Sequence, residues 1–304
     1  MSAPRIGLVL GSGAARGWAH IGVIEALRAA AIEPQIVCGC SMGALVGAAY
    51  VTDALPALKV FAEALKVGGV LKLLDVSLSG GGLINGARIV ELLGELGVKT
   101  PIEACAKPFA AVATNLETGR EVWLREGPIE DAVRASISIP GIFNPMRLGT
   151  AWLGDGALVN PVPVSLCRAL DAEIIIAVHV NSAGLVRFGA PAKAVADDKP
   201  AGADFPNRLL AQVAPTVRAQ ASDIISRLFP PPTVAPGYFE VFFNAINIME
   251  DQITRSRLAG EPPDLLLMPK LDHIGPLEFQ RASEAIAEGR ACMEQAMPAL
   301  KRLL

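Results

Sequence analysis

The sequence predicts an α/β fold in which a mainly parallel central sheet is covered by helices on both faces. Two observations carry this prediction. Residues 1–50 alternate between short apolar runs and helical periodicity, in the order strand, loop, helix, strand, turn, helix. Further along, residues 174–180 form an apolar run around His179, as in a strand buried on both faces. Parallel strands require crossover connections, so the alternation favours a parallel sheet.

The individual elements follow from local patterns. Residues 6–10 and 35–40 are short apolar runs that predict strands, while 18–31 and 42–50 have the apolar spacing or alanine content of helices. The same criteria predict further helices at 54–67, 87–96, 129–138, 208–228, 239–258 and 277–303. They predict further strands at 109–114, 121–124, 146–148, 151–153 and 265–268, the first four as two hairpins.

Other stretches interrupt this alternation. Residues 68–86 are glycine-rich and apolar, as in a lid over a site. After Val180 the composition shifts to Gly, Ala, Pro and Lys up to about Pro206, which predicts an irregular surface excursion without a chemical role, and residues 229–237 predict a rigid proline-rich connector. We therefore expect one domain over 1–304, with 1–180 as its core, 181–240 as an irregular insertion with a helix, and 241–304 as a helical closure.

Composition narrows the class of protein. The formal net charge of −3, with no basic stripe, gives no reason to expect nucleic acid. No apolar stretch reaches the roughly 18 residues that a membrane span needs, and the first residues lack a secretory signal. The five cysteines include no CxxC pair, which favours reduced thiols over a disulfide framework. We expect a cytoplasmic protein.

The pattern Gly-x-Ser-x-Gly, formed by Gly39, Ser41 and Gly43, is the first candidate for chemistry. It lies between a predicted strand and a predicted helix, the context in which this pattern exposes a nucleophilic serine on a tight turn. The glycines remove side chains that would collide where the chain reverses. The alternative is that Ser41 only caps the following helix. Cys40 is a lesser nucleophile candidate, because its side chain points to the opposite face of the strand.

The glycine-rich loop 11–17 also joins a predicted strand to a predicted helix. It departs from the dinucleotide fingerprint, because Arg16 stands at the third glycine and the next strand ends without an acidic residue. It also lacks the Lys of a phosphate-binding P-loop. The remaining functional interpretation is an oxyanion hole built from the backbone N–H groups of Ser12, Gly13 and Ala14. The alternative is a tight strand-to-helix connection.

A nucleophilic serine needs a base, and the residues alone leave its identity open. His20 lies inside a predicted helix and His179 inside an apolar strand, positions typical of packing roles. His273 precedes the last helix, where it could cap that helix; the alternative is that it is the base of a histidine triad.

Four blocks, in order, make the sequence resemble the bacterial patatin-like phospholipases. Three resemble the signature blocks of that family: GSGAARG at 11–17, GCSMG at 39–43 and DGA at 155–157. The fourth, residues 135–145, resembles the block that precedes the Asp-Gly element. The similarity covers roughly the first 180 residues, and residues 253–258 and 273–275 are similar to one bacterial branch of the family.

The resemblance implies a three-layer sandwich and a Ser-Asp dyad without histidine, in which Ser41 is the nucleophile and Asp155 its base. An aspartate of ordinary pKa is a poor base, so Asp155 must be desolvated against the hydroxyl; the alternative is that Asp155-Gly156 is only a turn. Arg16 matches the basic residue of the family loop, which orders the loop or contacts the oxyanion or phosphate. No cofactor or metal is implied.

Two positions depart from the family pattern, which usually has glycine where Ser12 and Ala14 stand. If either needs a positive φ, its Cβ costs about 1 kcal/mol. The expected function is a serine esterase of the phospholipase A or lysophospholipase type, with a lipid or acyl ester as substrate and peripheral contact with a membrane. The alternatives are an acyltransferase using the same dyad and a non-catalytic lipid-binding or regulatory protein. The head group, the acyl position and the oligomeric state do not follow from the sequence.

Overall fold

Eight strands form one mixed sheet in the residues that the computed structural model describes, namely 4–66, 68–69, 75, 81–181 and 238–304. The strands are β1 Ile6–Leu10, β2 Ile36–Cys40, β3 Phe109–Asn115, β4 Glu121–Leu124, β5 Met146–Leu148, β6 Ala151–Asp155, β7 Ile174–Val178 and β8 Leu265–Leu267. Their order across the sheet is β5-β6-β3-β2-β1-β7-β8, and β4 pairs with β3.

The centre of the sheet is parallel, as the alternation of elements predicts. β1 pairs in parallel with both β2 and β7, so that Leu8 lies between Val37 and Ile176. The pairs β2·β3 and β7·β8 are also parallel. The two predicted hairpins are confirmed, because β3·β4 and β5·β6 are antiparallel. All residues of β1, β2 and β7 are buried, which explains why these strands are continuous apolar runs.

Helices cover both faces of this sheet. The α-helices of the described residues are α1 Ala19–Ala29, α2 Met42–Val51, α3 Leu55–Ala64, α4 Ala87–Glu95, α5 Ile129–Ser136, α6 Val164–Ala169, α7 Tyr238–Gly260 and α8 Ala282–Leu300. The larger core cluster joins the sheet to α1, α2, α3, α5 and α8. A second cluster joins the opposite face to α6 and to Leu258 of α7. The three-layer α/β sandwich is therefore confirmed.

Some boundaries differ from the prediction. The predicted helix 18–31 begins with a 3-10 turn over Ala14–Trp18 and becomes α-helical only at Ala19. Helix α8 is likewise preceded by a 3-10 turn, over Phe279–Arg281. The six-residue helix α6 was not predicted, because it is too short to show helical periodicity.

Several predicted segments fall wholly or largely outside the described residues. They are the helix 208–228, the connector 229–237, most of the excursion after Val180 and most of the candidate lid 68–86. No helix in the described part of the chain combines the length and the apolar character needed to span a bilayer.

Helix α8 packs tightly on α1 through two glycines. A Cβ at Gly289 would lie 1.9 Å from the backbone oxygen of Ala19, and one at Gly22 would lie 1.9 Å from that of Ile286. The two helix backbones therefore touch. This packing brings the end of the chain next to the loop that follows β1, where Ala15 N–H donates to the carbonyl of Pro276 (3.1 Å).

Candidate active site

Ser41 lies on a strained turn between β2 and α2. Its φ of 54° and ψ of −122° are unusual for a residue with a side chain. The chain reverses tightly here, since a Cβ at Gly43 would lie 2.0 Å from the Leu10 oxygen and one at Gly39 would lie 2.5 Å from Cα of Ala44. The collisions that the Gly-x-Ser-x-Gly spacing predicts are thus confirmed.

A second serine holds this turn in place. Ser136, at the end of α5, accepts a 2.8 Å hydrogen bond from the Ser41 N–H. The Ser136 hydroxyl in turn donates to the carbonyl of Val112 in β3 (2.6 Å). The strained backbone of Ser41 is therefore fixed to the sheet by a buried polar bridge.

Asp155 lies directly against the Ser41 hydroxyl, although the two residues are 114 positions apart. The Ser41 Oγ donates a 2.7 Å hydrogen bond to Asp155 Oδ2. Strand β3 brings them together, because its Val112 pairs with Cys40 of β2 and its Ala113 pairs with Asp155 of β6.

The Asp155 carboxylate and backbone are both tightly held. Oδ1 accepts from the Ala157 N–H (2.8 Å), so Asp155 caps the short 3-10 turn that follows it. Its carbonyl accepts from the Thr114 hydroxyl (2.7 Å), and its N–H donates to the Ser138 carbonyl (2.8 Å). This leaves Oδ2 directed at the serine.

Burial changes the chemistry of Asp155. The residue is only 2% exposed, and desolvation raises its pKa from 3.8 to about 7. The hydrogen bonds from Ala157 and Ser41 lower that pKa, and the charge of Glu250 raises it. The carboxylate therefore has the proton affinity of a general base that works near neutral pH.

The loop after β1 carries two free backbone donors. The Ser12 N–H donates to the Pro161 carbonyl (2.9 Å), so it is engaged. The N–H groups of Gly13 and Ala14 have no acceptor among the described residues. Ala14 has a φ of 46°, whereas Ser12 does not have a positive φ. Of the two departures from glycine, only Ala14 therefore incurs the left-handed backbone cost.

A cleft joins the loop to the serine. Ser12, Gly13, Ala14, Ser41, Ile139, Asn181, Phe243, Ile246, Asn247, Glu250 and Pro276 line it. Gly13, Ala14 and Ser41 thus line the same space. One part of the wall is apolar, because Phe243 also packs in a cluster with Ile84 and Ile142.

The patatin-like phospholipase family model matches residues 8–168, which is more than half of the chain and includes both Ser41 and Asp155. The chain belongs to this family. Phospholipases of this kind are lipid hydrolases, and the three predicted signature blocks all lie within the matched residues.

Individual relatives extend the similarity beyond the family model. An uncharacterized NTE family protein of Mycobacterium tuberculosis is 34% identical over 335 residues, which cover 99% of this chain and 93% of that protein. A lysophospholipase of Emericella nidulans is 28% identical over 302 residues, which cover 97% of this chain but only 18% of the fungal protein. Among solved structures, VipD from Legionella pneumophila is 14% identical with a TM-score of 0.49, over 98% of this chain and 68% of VipD.

The block 135–145 of this patatin-like chain is organised by Arg134. Its buried guanidinium donates to the Ser138 hydroxyl (2.6 Å) and to the carbonyls of Asn144 (2.8 Å) and Asn85. Ser138 is also the residue whose carbonyl receives the Asp155 N–H. The block therefore fixes the position of the Asp155 backbone.

No histidine contacts Ser41 or Asp155 in the described residues. His20 Nε2 donates to the Gly11 carbonyl (2.8 Å), and burial lowers its pKa to about 4. Burial likewise lowers the pKa of His179 to about 4. His273 is half-exposed, and its Nε2 lies 3.8 Å from Glu284 Oε2. The packing interpretations of His20 and His179 agree with these positions.

Cys40 is not available as a nucleophile. Its Sγ lies 4.0 Å from Asp155 Oδ1 and is completely buried. Burial raises the pKa of the thiol, and the charges of Asp155, Glu250 and Glu121 raise it further, so the thiol stays protonated.

Two polar residues of the cleft were missed by the sequence analysis. Glu250 of α7 and Asn181, at the start of the predicted excursion, form a buried hydrogen-bond network with the loop after β1. Arg16 joins this network, donating to Asn181 Oδ1 (3.2 Å) and, through Nε, to the Ile274 carbonyl (2.8 Å). Of the predicted roles for Arg16, ordering the loop is the one that these contacts support. Asn181, at the start of the predicted excursion, lines the cleft, and the expectation that the excursion carries no chemistry stays a prediction.

Proposed function

We propose that this chain hydrolyses acyl esters of lipids, as a phospholipase A or lysophospholipase, through an acyl-Ser41 intermediate. The observation that carries the proposal is the 2.7 Å hydrogen bond from the Ser41 hydroxyl to Asp155. The same cleft is lined by Gly13 and Ala14, whose N–H groups have no acceptor among the described residues. Family membership supports the same class of chemistry.

In the first step, Asp155 takes the Ser41 proton while Oγ attacks the ester carbonyl carbon. The carbonyl oxygen becomes an oxyanion, which accepts hydrogen bonds from the Gly13 and Ala14 N–H groups. The N-terminus of α2, which begins at Met42, adds its positive dipole end beside this charge.

The intermediate then collapses. The bond between the carbonyl carbon and the leaving oxygen breaks, and protonated Asp155 gives its proton to that oxygen, releasing the alcohol part of the lipid. A water molecule, deprotonated by Asp155, attacks the acyl-Ser41 ester. Collapse of this second intermediate releases the fatty acid, and the proton returns to Ser41, so that the dyad is restored.

The lining of the cleft suits a lipid substrate. Ile139, Phe243 and Ile246 form an apolar wall for an acyl chain, whereas Asn181 and Asn247 provide polar groups for the ester or head-group side. Peripheral contact with a membrane fits such a substrate. The similarity to the fungal lysophospholipase favours a lysophospholipase in particular.

Replacing either dyad residue tests the proposal. Ser41→Ala and Asp155→Ala should each lower the turnover of a short p-nitrophenyl ester by about 10⁴-fold or more, because each removes an essential proton-transfer partner. His273→Ala should retain wild-type turnover. If Ser41→Ala retains activity, the proposal is wrong. If His273→Ala loses activity, a histidine triad is indicated.

A covalent probe provides an independent test. A fluorophosphonate should label Ser41 in the wild-type protein, as shown by peptide mapping, since labelling needs both the activated hydroxyl and the oxyanion donors. Absence of the label would favour the non-catalytic lipid-binding alternative.

A further inference from the structure

A second buried carboxylate, that of Glu250 in α7, lines the cleft with Ser41. On the basis of the proposed function, we propose that Glu250 is a positioning residue for the oxyanion loop, residues 11–17. It holds Ser12, and thereby aims the Gly13 and Ala14 N–H groups at the carbonyl oxygen of the ester.

The contacts of Glu250 bracket the two free donors. Its Oε2 accepts from the Ser12 hydroxyl (2.9 Å) and from Asn181 Nδ2 (2.7 Å). Asn181 in turn accepts from Arg16 through its Oδ1 (3.2 Å). The loop is thus tied on both sides of Gly13 and Ala14, directly at Ser12 and through Asn181 at Arg16.

The charge of Glu250 is compensated within this network. A lone carboxylate in the cleft would repel the forming oxyanion, but the buried Arg16 guanidinium lies on the other side of Asn181. Burial raises the pKa of Glu250, while the hydrogen bonds from Ser12 and Asn181 and the charge of Arg16 lower it. The charged groups that face Glu250 are Arg16 of the loop and Asp155 of β6. Its effect on the loop is therefore mainly geometric.

This network gives a reason for the serine at position 12. Glycine there would leave Glu250 without one of its two donors, so Ser12 and Glu250 form a matched pair. The strained Ala14, with its φ of 46°, also needs surroundings that hold it in place. The Ser12 anchor, two residues away, supplies such a restraint.

The test compares Glu250→Gln, Ser12→Ala and the double variant with the wild type. Each single variant should lower both kcat for a p-nitrophenyl ester and the rate constant of Ser41 labelling by a fluorophosphonate about 10- to 100-fold, with KM changed less than about twofold. Since the Ser12 hydroxyl acts through its hydrogen bond to Glu250, the double variant should be no slower than the slower single variant. Asp251→Asn, which removes a charge from the next position of α7, should stay within about twofold of wild type.

The pH profile separates positioning from a general loss of structure. Removing the Glu250 charge lowers the pKa of Asp155, so the acid limb of kcat/KM should move to lower pH in Glu250→Gln and stay in place in Ser12→Ala.

The inference is overturned if Glu250→Gln labels at the wild-type rate or if the two single effects multiply. If Glu250→Gln does not fold, Ser12→Ala alone decides, with wild-type labelling as the contradicting result. An unlabelled wild-type Ser41 would overturn the proposed function itself.

Discussion

The Asp155 carboxyl illustrates how one residue combines a structural and a chemical role. Its Oδ1 caps the turn at Ala157, while its Oδ2 accepts the hydrogen bond from Ser41. In the proposed mechanism Asp155 is the base, which must be deprotonated to act, and burial raises its pKa to about 7. The active form is therefore present above that pKa and is lost as the pH falls through it.

We expect kcat/KM for a soluble ester to be level above about pH 7 and to fall about tenfold per pH unit below it. The measurement is kcat/KM for that ester as a function of pH, from acid to weakly alkaline values. His20 and His179, with pKa values lowered to about 4, do not account for a limb at this position. In His273→Ala, kcat/KM should fall below about pH 7 as in the wild type. If this fall disappears in the variant, the titrating group is the histidine.

Ala14 gives a prediction about stability. Its φ of 46° lies in the left-handed region, where a residue with a Cβ destabilises the folded state by about 1 kcal/mol. Glycine removes this destabilisation, and the entropy that it adds to the unfolded chain has a smaller opposing effect. Urea unfolding of Ala14→Gly should give a free energy of unfolding equal to wild type or up to about 1 kcal/mol higher. The buried neighbour Ala15 has no positive φ, so Ala15→Gly should lose about 1 kcal/mol. Equal losses in both variants would contradict the strain.

At the scale of single residues, local sequence patterns predict the proposed nucleophile, Ser41, but not the residues that hold it in position. Gly39, Ser41 and Gly43 form a local pattern whose strand-to-helix context is also local. The role of Asp155 came from family resemblance, because a partner 114 positions away leaves no spacing signal. Glu250 had no signal of either kind.

Among elements, α7 explains why Glu250 could not be predicted. The helix exposes Val241, Ile248 and Met249 among the described residues, whereas Glu250 and Thr254 are buried. Polarity and burial are thus reversed at these positions, and Glu250 lines the cleft. Apolar periodicity identifies the helix but assigns its polar face to solvent. The strands behave differently, since β1 and β2 are buried on both faces and their apolar runs predict them closely.

The turn between β2 and α2 allows a matched test on one helix. Gly43→Ala places a methyl group 2.0 Å from the Leu10 oxygen, a backbone atom that cannot move aside alone. We expect a loss of about 3 kcal/mol in the free energy of unfolding, together with lost labelling of Ser41. Gly47→Ala, on the same helix, brings its Cβ no closer than 3.2 Å to side-chain carbons. It should be nearly neutral, and similar losses in both variants would show that the close approach at Gly43 is unimportant.

At the scale of the whole molecule, the site combines residues from the first 168 positions with residues that come much later in the chain. The family model stops at residue 168, yet the oxyanion loop is held by Glu250 of α7 and by the Ile274 and Pro276 carbonyls. The topology predicted for the first 180 residues was correct for the sheet centre, because parallel pairing follows from alternating elements. How the last helices complete the site depends on long-range packing, which local patterns do not encode.

The contact between α1 and α8 should therefore affect the chemistry from a distance. Gly289→Ala places a methyl group 1.9 Å from the Ala19 oxygen and forces the two helices apart. We expect a loss of about 3 kcal/mol in urea unfolding, and slower fluorophosphonate labelling of Ser41 because the chain before α8 anchors Arg16 at Ile274. Gly260→Ala, whose Cβ meets no atom within 4 Å, should change neither measurement. A destabilised Gly289→Ala protein that labels at the wild-type rate would show that the anchor is independent of this packing.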